Sequence, residues 1–582
     1  MSGLLPEAMR PKTLFRDLVA ALAVTCLAVP QGIAYALIAG LPPIVGLYAA
    51  TVPTIVGSLF RSSRHVIAGP TNAVSLLVGG SVAALSVQLG LSPAQVAVQL
   101  ALVVGLMQVG AGVLRLGALV DYISQPVVLG YITGAGVLIG VGQLPNLTGT
   151  PGVSGILPSQ LLAWGAGLGE ATWLPLAVGL GVAGLVVTLR TIDGRIPAAI
   201  LALAAATVVS VVFDLPAMGL KQLGDLSAVP VGAPPFALPG APSMALLSLG
   251  LATMVLSLVE ATAVGRSLAD QTGDPLDATR EFVGQGLANL SAAFFGGYPV
   301  GGSLSRSKLN HQAGAKTRMA GVFAGLLTLL VLMVAGPVAE KTPIASLAGL
   351  LLVVAWDLVD RKRIVMAMNS AVADKAAFVT TVVGTWVLPL DKAIYLGVAI
   401  SIVLFVRRAS SLVVRGLQVD ASGHLREVPA SPASRSAISV LQVEGPLFFG
   451  AAPVLRDALE AAGREERVCA VVVRLKRTQG LDMTCLDVLA RAASLFRERG
   501  KVLILADLPE TATIRLADTG IAEIIGRENL FPTGDGGFVA LDQALSRAIA
   551  ASGEHADTGE LRRYLERRCG GGGSPSETSE PS

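Results

Sequence analysis

The sequence predicts a polytopic α-helical membrane protein: about fourteen spans in a seven-plus-seven inverted repeat, followed by a cytoplasmic α/β domain. Three observations carry that prediction. Of the 582 residues 53% are hydrophobic and only 14% charged, against about 25% charged in a soluble domain, and the mean hydropathy is +0.68. The bias is regional: apolar runs dominate up to about residue 408, whereas from Arg415 onward charges recur every few positions. Finally, the basic residues between those runs fall almost wholly on one side of the implied threading.

Apolar runs near the ~20 residues that cross a hydrocarbon core, shortened where a helix is broken, place spans at 15–37, 44–60, 66–88, 93–114, 122–143, 173–189, 196–213, 244–264, 279–295, 300–312, 319–337, 343–359, 373–389 and 391–407. The first follows Arg10, Lys12 and Arg16 without a small-residue cleavage site, so it stays as a helix and is not a signal peptide. Within it Pro30 predicts a kink, and Gln31 and Tyr35, four apart, share a face and are candidates to line a pocket; for Tyr35 an interfacial aromatic belt is the alternative. The third span is interrupted at Gly69-Pro70, ahead of Thr71, Asn72 and Ala73, and the tenth at Gly297-Tyr298-Pro299-Val300-Gly301-Gly302-Ser303-Leu304-Ser305-Arg306. The eighth carries Thr253, Ser257 and Glu260 on one face, and an intramembrane acid is a functional candidate by default.

Charge tests the threading. With the N-terminus cytoplasmic, one side collects twenty basic residues, among them Arg61, Arg64, Arg195, Arg280, Arg306 and Arg318, while the other receives Lys221, Lys341 and Lys392. That satisfies the positive-inside rule, and adding or removing one span spoils it. An even count leaves both termini in the cytoplasm.

Seven spans per half is an odd number, so the second half enters the membrane inverted. The broken third and tenth spans then correspond, and their helices start near the midplane with N-termini facing. Each presents unpaired N–H groups and roughly +0.5 of an elementary charge. Irregular backbone at that depth survives only inside protein or beside a watered cavity, and two such breaks in matching places point to a transporter binding site. Thr71, Asn72 and Ala73 on one side, and Gly302, Ser303, Leu304, Ser305 and Arg306 on the other, are the candidate anion-binding residues. Helix capping is the alternative for Thr71 and Asn72; for Arg306 it is snorkelling to the interface or pairing with a carboxylate. Glu260 is read as a proton carrier or as one half of a structural ion pair with Arg306.

Other classes are disfavoured. A net charge of +3 and 4% aromatic residues give no nucleic-acid footprint. Cys26, Cys469, Cys485 and Cys569 have no metal spacing. No serine-histidine-acid set, metal cluster or nucleotide loop suggests an enzyme, and no cofactor is expected.

The segments Val29-Pro30-Gln31-Gly32-Ile33-Ala34-Tyr35-Ala36, Leu41-Pro42-Pro43-Ile44-Val45-Gly46-Leu47-Tyr48, Glu260-Ala261-Thr262-Ala263-Val264-Gly265-Arg266-Ser267 and Gly301-Gly302-Ser303-Leu304-Ser305-Arg306-Ser307 together resemble the sulfate permease (SulP) family of anion transporters. The resemblance implies a core domain (spans 1–4 and 8–11) that moves against a gate domain (spans 5–7 and 12–14), a homodimer, and a cytoplasmic STAS domain open to a regulatory partner. It also implies that Glu260 matches the carboxylate of a proton-coupled branch, whereas the sodium-ligand aspartate of the bicarbonate branch falls on Ala252. The expected function is secondary active uptake of a small inorganic anion across the inner membrane, sulfate with a proton foremost, by an elevator-type alternating-access mechanism. Sodium-coupled or exchange transport of bicarbonate, chloride or a dicarboxylate, and an uncoupled channel, are the alternatives.

The expected domains are a cytoplasmic segment 1–14, the transport domain 15–408, a linker 409–436, the STAS domain 437–553 and a flexible tail 554–582. In the STAS region strands are expected at 438–443, 468–475 and 502–506, and helices at 451–462, 484–499, 511–519 and 541–551. Thr484 stands where related domains carry a phosphorylation loop, with an N-cap as the alternative.

Overall fold

The computed structural model describes residues 10–117, 124–152, 155–193, 196–225, 232–409, 412–420, 424–429, 436–534, 538–553 and 557–570. Arg195, the first residues of the expected fifth span and tail residues 571–582 lie outside these. The chain forms two compact units, 1–402 and 403–582.

In the first unit fourteen helices among the described residues correspond to the expected spans: α1 (Pro11–Ile38), α2 (Pro43–Phe60), α3 (Asn72–Leu89), α4 (Pro93–Val113), α5 (Gln125–Gly142), α6 (Trp173–Ile192), α7 (Ala198–Val212), α8 (Leu246–Thr272), α9 (Ala278–Phe294), α10 (Leu304–Gln312), α11 (Met319–Glu340), α12 (Ile344–Leu358), α13 (Val372–Val387) and α14 (Leu390–Ala409). Short helices Leu144–Thr148, Leu157–Gly167 and Arg361–Met368, which the apolar runs do not announce, sit between them. Seven helices, α1 to α6 and α8, are long and apolar enough to span a hydrocarbon core by themselves. α10, with nine residues, is not; it is a half-helix that begins inside the protein.

The helices sort into two packed groups. α1 to α4 pack on α8 to α11, and α5 to α7 pack on α12 and α13, with α14 joined to α5 where Ser401 Oγ accepts the Ser124 N–H at 3.0 Å. Close backbone approaches occur in both groups. A Cβ on Gly46 of α2 would stand 2.0 Å from the Gly32 carbonyl oxygen of α1, and one on Gly349 of α12 equally close to that of Gly179 in α6. Missing side chains let apolar helices meet backbone to backbone, where dispersion drives association in lipid.

Inside the first group lies a two-residue antiparallel ladder, β1 (Ala68–Gly69) with β2 (Gly301–Gly302), in the register Ala68↔Gly302 and Gly69↔Gly301. α3 starts three residues after β1 and α10 two residues after β2. Because the strands are antiparallel, the helices leave in opposite directions and their N-termini face across the ladder.

The second unit is built on a six-stranded sheet of order β4-β3-β5-β6-β7-β8: β3 (Val413–Val419), β4 (Leu425–Pro429), β5 (Ile438–Pro446), β6 (Ala470–Gln479), β7 (Val502–Leu508) and β8 (Leu530–Pro532). β5 to β8 are parallel; β3 is antiparallel to both its neighbours. Val471, Val473 and Leu475 face one layer, α15 (Ala452–Arg464), α16 (Met483–Glu498), α17 (Glu510–Asp518) and α18 (Ile521–Ile525). Ala470 and Val472 face the other, α19 (Val539–Ala551) and α20 (Gly559–Gly570), as the period of two along a strand requires.

Two expectations are corrected here. Residues 413–429, read as linker, supply two strands, because the sheet's β5 edge needs a partner and the alternation in these short pieces meets it. Residues 559–570, read as tail, form α20, which buries Leu561 and Tyr564 against the sheet. A third concerns the cap of α16: it is Asp482, whose carboxylate accepts the Cys485 N–H at 2.9 Å, and not Thr484, which is exposed in the first turn.

Cys485, behind that cap, is fully buried. Burial first, and the neighbouring Asp482 second, push its thiol up to about 12. At pH 8 the thiolate fraction is then about one part in ten thousand. Maleimide treatment of the folded protein should therefore label Cys469 and leave Cys485 unmodified until denaturant is added. Comparable labelling of both by mass spectrometry would show that the helix start is open.

Candidate functional site

The ladder and the two helix starts form a crossing whose backbone is satisfied largely by borrowed side chains. Ser307 Oγ accepts the Ile67 N–H at 2.9 Å, Asn310 Nδ2 donates to the His65 carbonyl at 3.2 Å, and Thr54 Oγ1 donates to the Ala68 carbonyl at 2.7 Å. The Ser303 N–H donates to the Ile67 carbonyl at 3.0 Å. On the other arm Asn289 both accepts the Val300 N–H at 2.7 Å and donates to its carbonyl at 3.1 Å, and Gln285 adds a second donor at 2.6 Å. Asn289 is itself bonded to Gln108, which reaches Ser257. Ser257, which shares the polar face of α8 with Thr253 and Glu260, is thus committed to this buried amide chain.

The helix starts are capped as their residue types allow. Thr71 Oγ1 accepts the Val74 N–H at 3.4 Å, Asn72 Oδ1 the Ala73 N–H at 2.8 Å, and Ser303 Oγ the Arg306 N–H at 3.5 Å. The first turn of α3 is further held where the Ser75 and Tyr298 hydroxyls meet at 2.6 Å. Gly302 and Ser303 are buried, but Leu304, next along the chain, is 60% exposed and Ser305 is exposed too. The crossing is open there.

Arg306 is fully buried. This corrects its placement among the loop charges: its backbone lies in the first turn of α10, inside the protein, so it cannot snorkel. Its Nη2 donates to the Pro70 carbonyl at 2.5 Å, while Nε and Nη1 have no protein partner. The guanidinium lies over Gly69, where a Cβ would stand 2.5 Å from Nη1 and where φ is +147°. Only glycine adopts that backbone without strain.

Glu260 approaches from α8 against the paired glycine. A Cβ on Gly301 would stand 2.7 Å from Glu260 Oε2, and that oxygen accepts from Thr71 Oγ1 at 2.9 Å. No ion pair within 4.0 Å joins Glu260 to Arg306 or to any described residue, so the structural-pair alternative is not what the fold forms.

Gln31 and Tyr35 are buried on α1. Gln31 Nε2 donates to Ser305 Oγ at 3.4 Å, leaving its Oε1 unpartnered. Tyr35 lies within electrostatic reach of both Arg306 and Glu260, which its burial makes incompatible with an interfacial belt. Gln31, Tyr35, Thr71 to Ala73, Glu260 and Gly302 to Arg306 therefore converge. Sequence reading missed Gln108, Gln285 and Asn289; the signal was available, since amides inside apolar spans need partners. It also missed Tyr131 of α5, whose buried hydroxyl has no partner. No cluster of His, Cys, Asp or Glu among the described residues has metal-site geometry.

A family model described as the sulfate permease family matches residues 14–383. The chain belongs to the sulfate permease family. It carries in addition a STAS domain, matched over residues 431–536. It is thus a multi-pass membrane protein of a transporter family, not an enzyme family. The "Putative sulfate transporter YvdB" of Bacillus subtilis (strain 168) is 29% identical over 525 residues, which are 89% of this chain and 96% of that protein. Among solved structures, the murine Solute Carrier 26 family member A9 anion transporter in the inward-facing state superposes with a TM-score of 0.84 at 20% identity, over 94% of this chain and 93% of that one. The transmembrane domain of the cyanobacterium bicarbonate transporter BicA gives 0.57 at 21% identity, over 68% of this chain and 98% of its own. At these identities the two structures establish the fold of this sulfate permease homologue.

Gly69→Ala should lower the melting temperature by several degrees, since the left-handed backbone costs about 1–3 kcal/mol and the new methyl group displaces Arg306. Gly181→Ala, a helix position with open space around it, should be neutral or stabilising by about 1 kcal/mol. Equal melting temperatures would mean that Arg306 does not lie over Gly69.

Proposed function

We propose that this protein is a secondary active transporter that takes up sulfate with a proton, binding the anion at the crossing and moving its core helices against α5 to α7 and α12 to α14. The observation that carries this reading is Arg306: a fully buried guanidinium at the meeting of two helix N-termini, with two donors unused by the protein. Buried unpaired donors are costly, and a tetrahedral oxyanion matches both the guanidinium fork and the helix ends. Gln31, Tyr35, Thr71 to Ala73 and Gly302 to Ser305 are the proposed shell around it.

Glu260 is the proposed proton site. Among the described residues its only hydrogen-bond partner is the neutral Thr71 hydroxyl, so a proton can join it without first breaking an ion pair. We further propose a homodimer in the inner membrane with both termini cytoplasmic, and a STAS domain that receives a regulatory partner, with exposed Thr484 as a phosphate acceptor.

Two outcomes test the reading in proteoliposomes. Labelled sulfate uptake should rise with an inward proton gradient and ignore sodium. Arg306→Gln should weaken anion binding roughly 10- to 150-fold, at about 1.5–3 kcal/mol for a lost hydrogen bond to a charge. Loss of the surface arginine Arg190, which pairs with Asp357 at 2.6 Å, should change it little. Unchanged affinity in folded Arg306→Gln removes Arg306 from the site.

Glu260→Gln mimics the protonated acid. It should preserve sulfate binding and exchange while abolishing proton-driven accumulation. A variant that still concentrates sulfate on a proton gradient alone would exclude Glu260 as the coupling group.

A further inference from the structure

A second basic cluster surrounds the loop between α2 and β1, apart from the crossing. Glu281 Oε2 accepts the N–H groups of Ser62 and Ser63 at 3.1 and 3.3 Å, and Ser62 Oγ accepts the Asp277 N–H at 2.9 Å. Arg318 Nη2 donates to the Ser62 carbonyl at 2.7 Å and Arg280 Nε to the Phe60 carbonyl at 3.4 Å. Four arginines here face three carboxylates, and two of them are ion-paired: Arg61 with Glu281 at 3.2 Å and Arg64 with Asp274 at 3.6 Å. Asp277 caps α9 through the Arg280 N–H at 3.2 Å.

Arg280 and Arg318 are left without a carboxylate within 4.0 Å. They are electrostatic neighbours, with Glu281 acting on Arg318 from the other side, and the carbonyls of Phe60 at the end of α2 and of Ser62 in the loop orient them. Nε and Nη1 of Arg318 are shielded from solvent and have no partner, as are Nε and Nη2 of fully buried Arg61 behind them. Carbonyls orient guanidiniums but do not neutralise them. Arg280 is exposed and Arg318 half-buried, so two like charges held together with idle donors offer an anion an accessible place between them, and oxyanions fit the planar fork.

We propose that Arg280 and Arg318 form a second anion site, one that holds a tetrahedral oxyanion supplied by an anionic lipid headgroup or by free phosphate or sulfate. The site lies on α9, α11 and the α2–β1 loop, which also anchors β1. Its occupancy therefore reinforces the platform on which the crossing rests, and it stands whether or not the crossing binds the transported anion.

The test is thermal unfolding of the full-length protein, followed by intrinsic fluorescence, titrated at constant ionic strength with dioctanoyl phosphatidic acid, dioctanoyl phosphatidylcholine or sodium phosphate. A saturable rise with phosphatidic acid alone assigns the site to a lipid headgroup; a rise with phosphate as well assigns it to the free ion. With phosphatidic acid the half-saturating concentration should increase at least tenfold in Arg280→Gln and in Arg318→Gln and stay unchanged in Arg306→Gln; with phosphate, the rise that persists in Arg306→Gln should need at least tenfold more anion once Arg280→Gln is added. Arg280→Gln loses only a long carbonyl bond, so it should fold even if the Arg318 variant does not. The proposal is overturned if neither anion stabilises the protein, if phosphatidylcholine acts equally, or if the response survives in Arg280→Gln and disappears in Arg306→Gln.

Discussion

Every backbone N–H and C=O of the two broken segments must find a partner without help from water, because an orphan costs several kcal/mol in a hydrocarbon environment. A ladder two residues long cannot supply those partners. On the first arm most come from the opposite half of the chain, where Ser307, Asn310 and Arg306 of α10 satisfy Ile67, His65 and Pro70, while Thr54 of α2 and Asn289 of α9 hold Ala68 and Val300 from within their own halves. The two inverted halves are in this sense stitched through each other. α10 cannot shift relative to β1 without stranding these buried groups, which is why the proposed motion is placed at the seam between the two groups of helices.

Much of this was legible in the sequence. Apolar run lengths, Gly-Pro and Gly-Gly breaks and the basic bias place the helices, and the breaks alone mark the crossing. What sequence position could not show is depth. Arg61 and Arg306 both sit beside other basic residues and count as loop charges by rule, yet both are fully buried, Arg61 because Glu281 lies 220 residues away along the chain and 3.2 Å away in space. Gln285 and Asn289 carry no motif, and their purpose is set by a partner, Val300, that only the tertiary fold identifies, as is that of Gln108, which holds Asn289. In the second unit β3, β4 and α20 were invisible because each is short or charged, and each acquires its structure from the sheet it joins and not from its own propensity.

The register Gly69↔Gly301 explains how the crossing holds two ionisable groups without joining them. Each glycine leaves the space of a Cβ, and one space is filled by the Arg306 guanidinium and the other by the Glu260 carboxylate. Had the two been paired, an entering anion would compete with a carboxylate already in place, and a proton would have to break a charged contact. Instead Arg306 rests on a neutral carbonyl and Glu260 on a neutral hydroxyl. Neither group spends a charged contact inside the protein, which on the proposed reading leaves Arg306 for the anion and Glu260 for the proton.

That separation sets the sign of any coupling between them. An anion beside an ionised Glu260 adds negative charge to a site where unpaired buried charge is expensive, and protonation of Glu260 removes part of that cost. On the proposed reading anion and proton therefore favour each other's binding, and by linkage the effect is reciprocal: whatever factor the proton contributes to anion affinity, the anion contributes to proton affinity. The Thr71 hydroxyl makes the reciprocity local. It caps α3 on the anion side of the crossing while donating to Glu260 on the other, so a change at either group is felt through a single side chain, without a conformational relay.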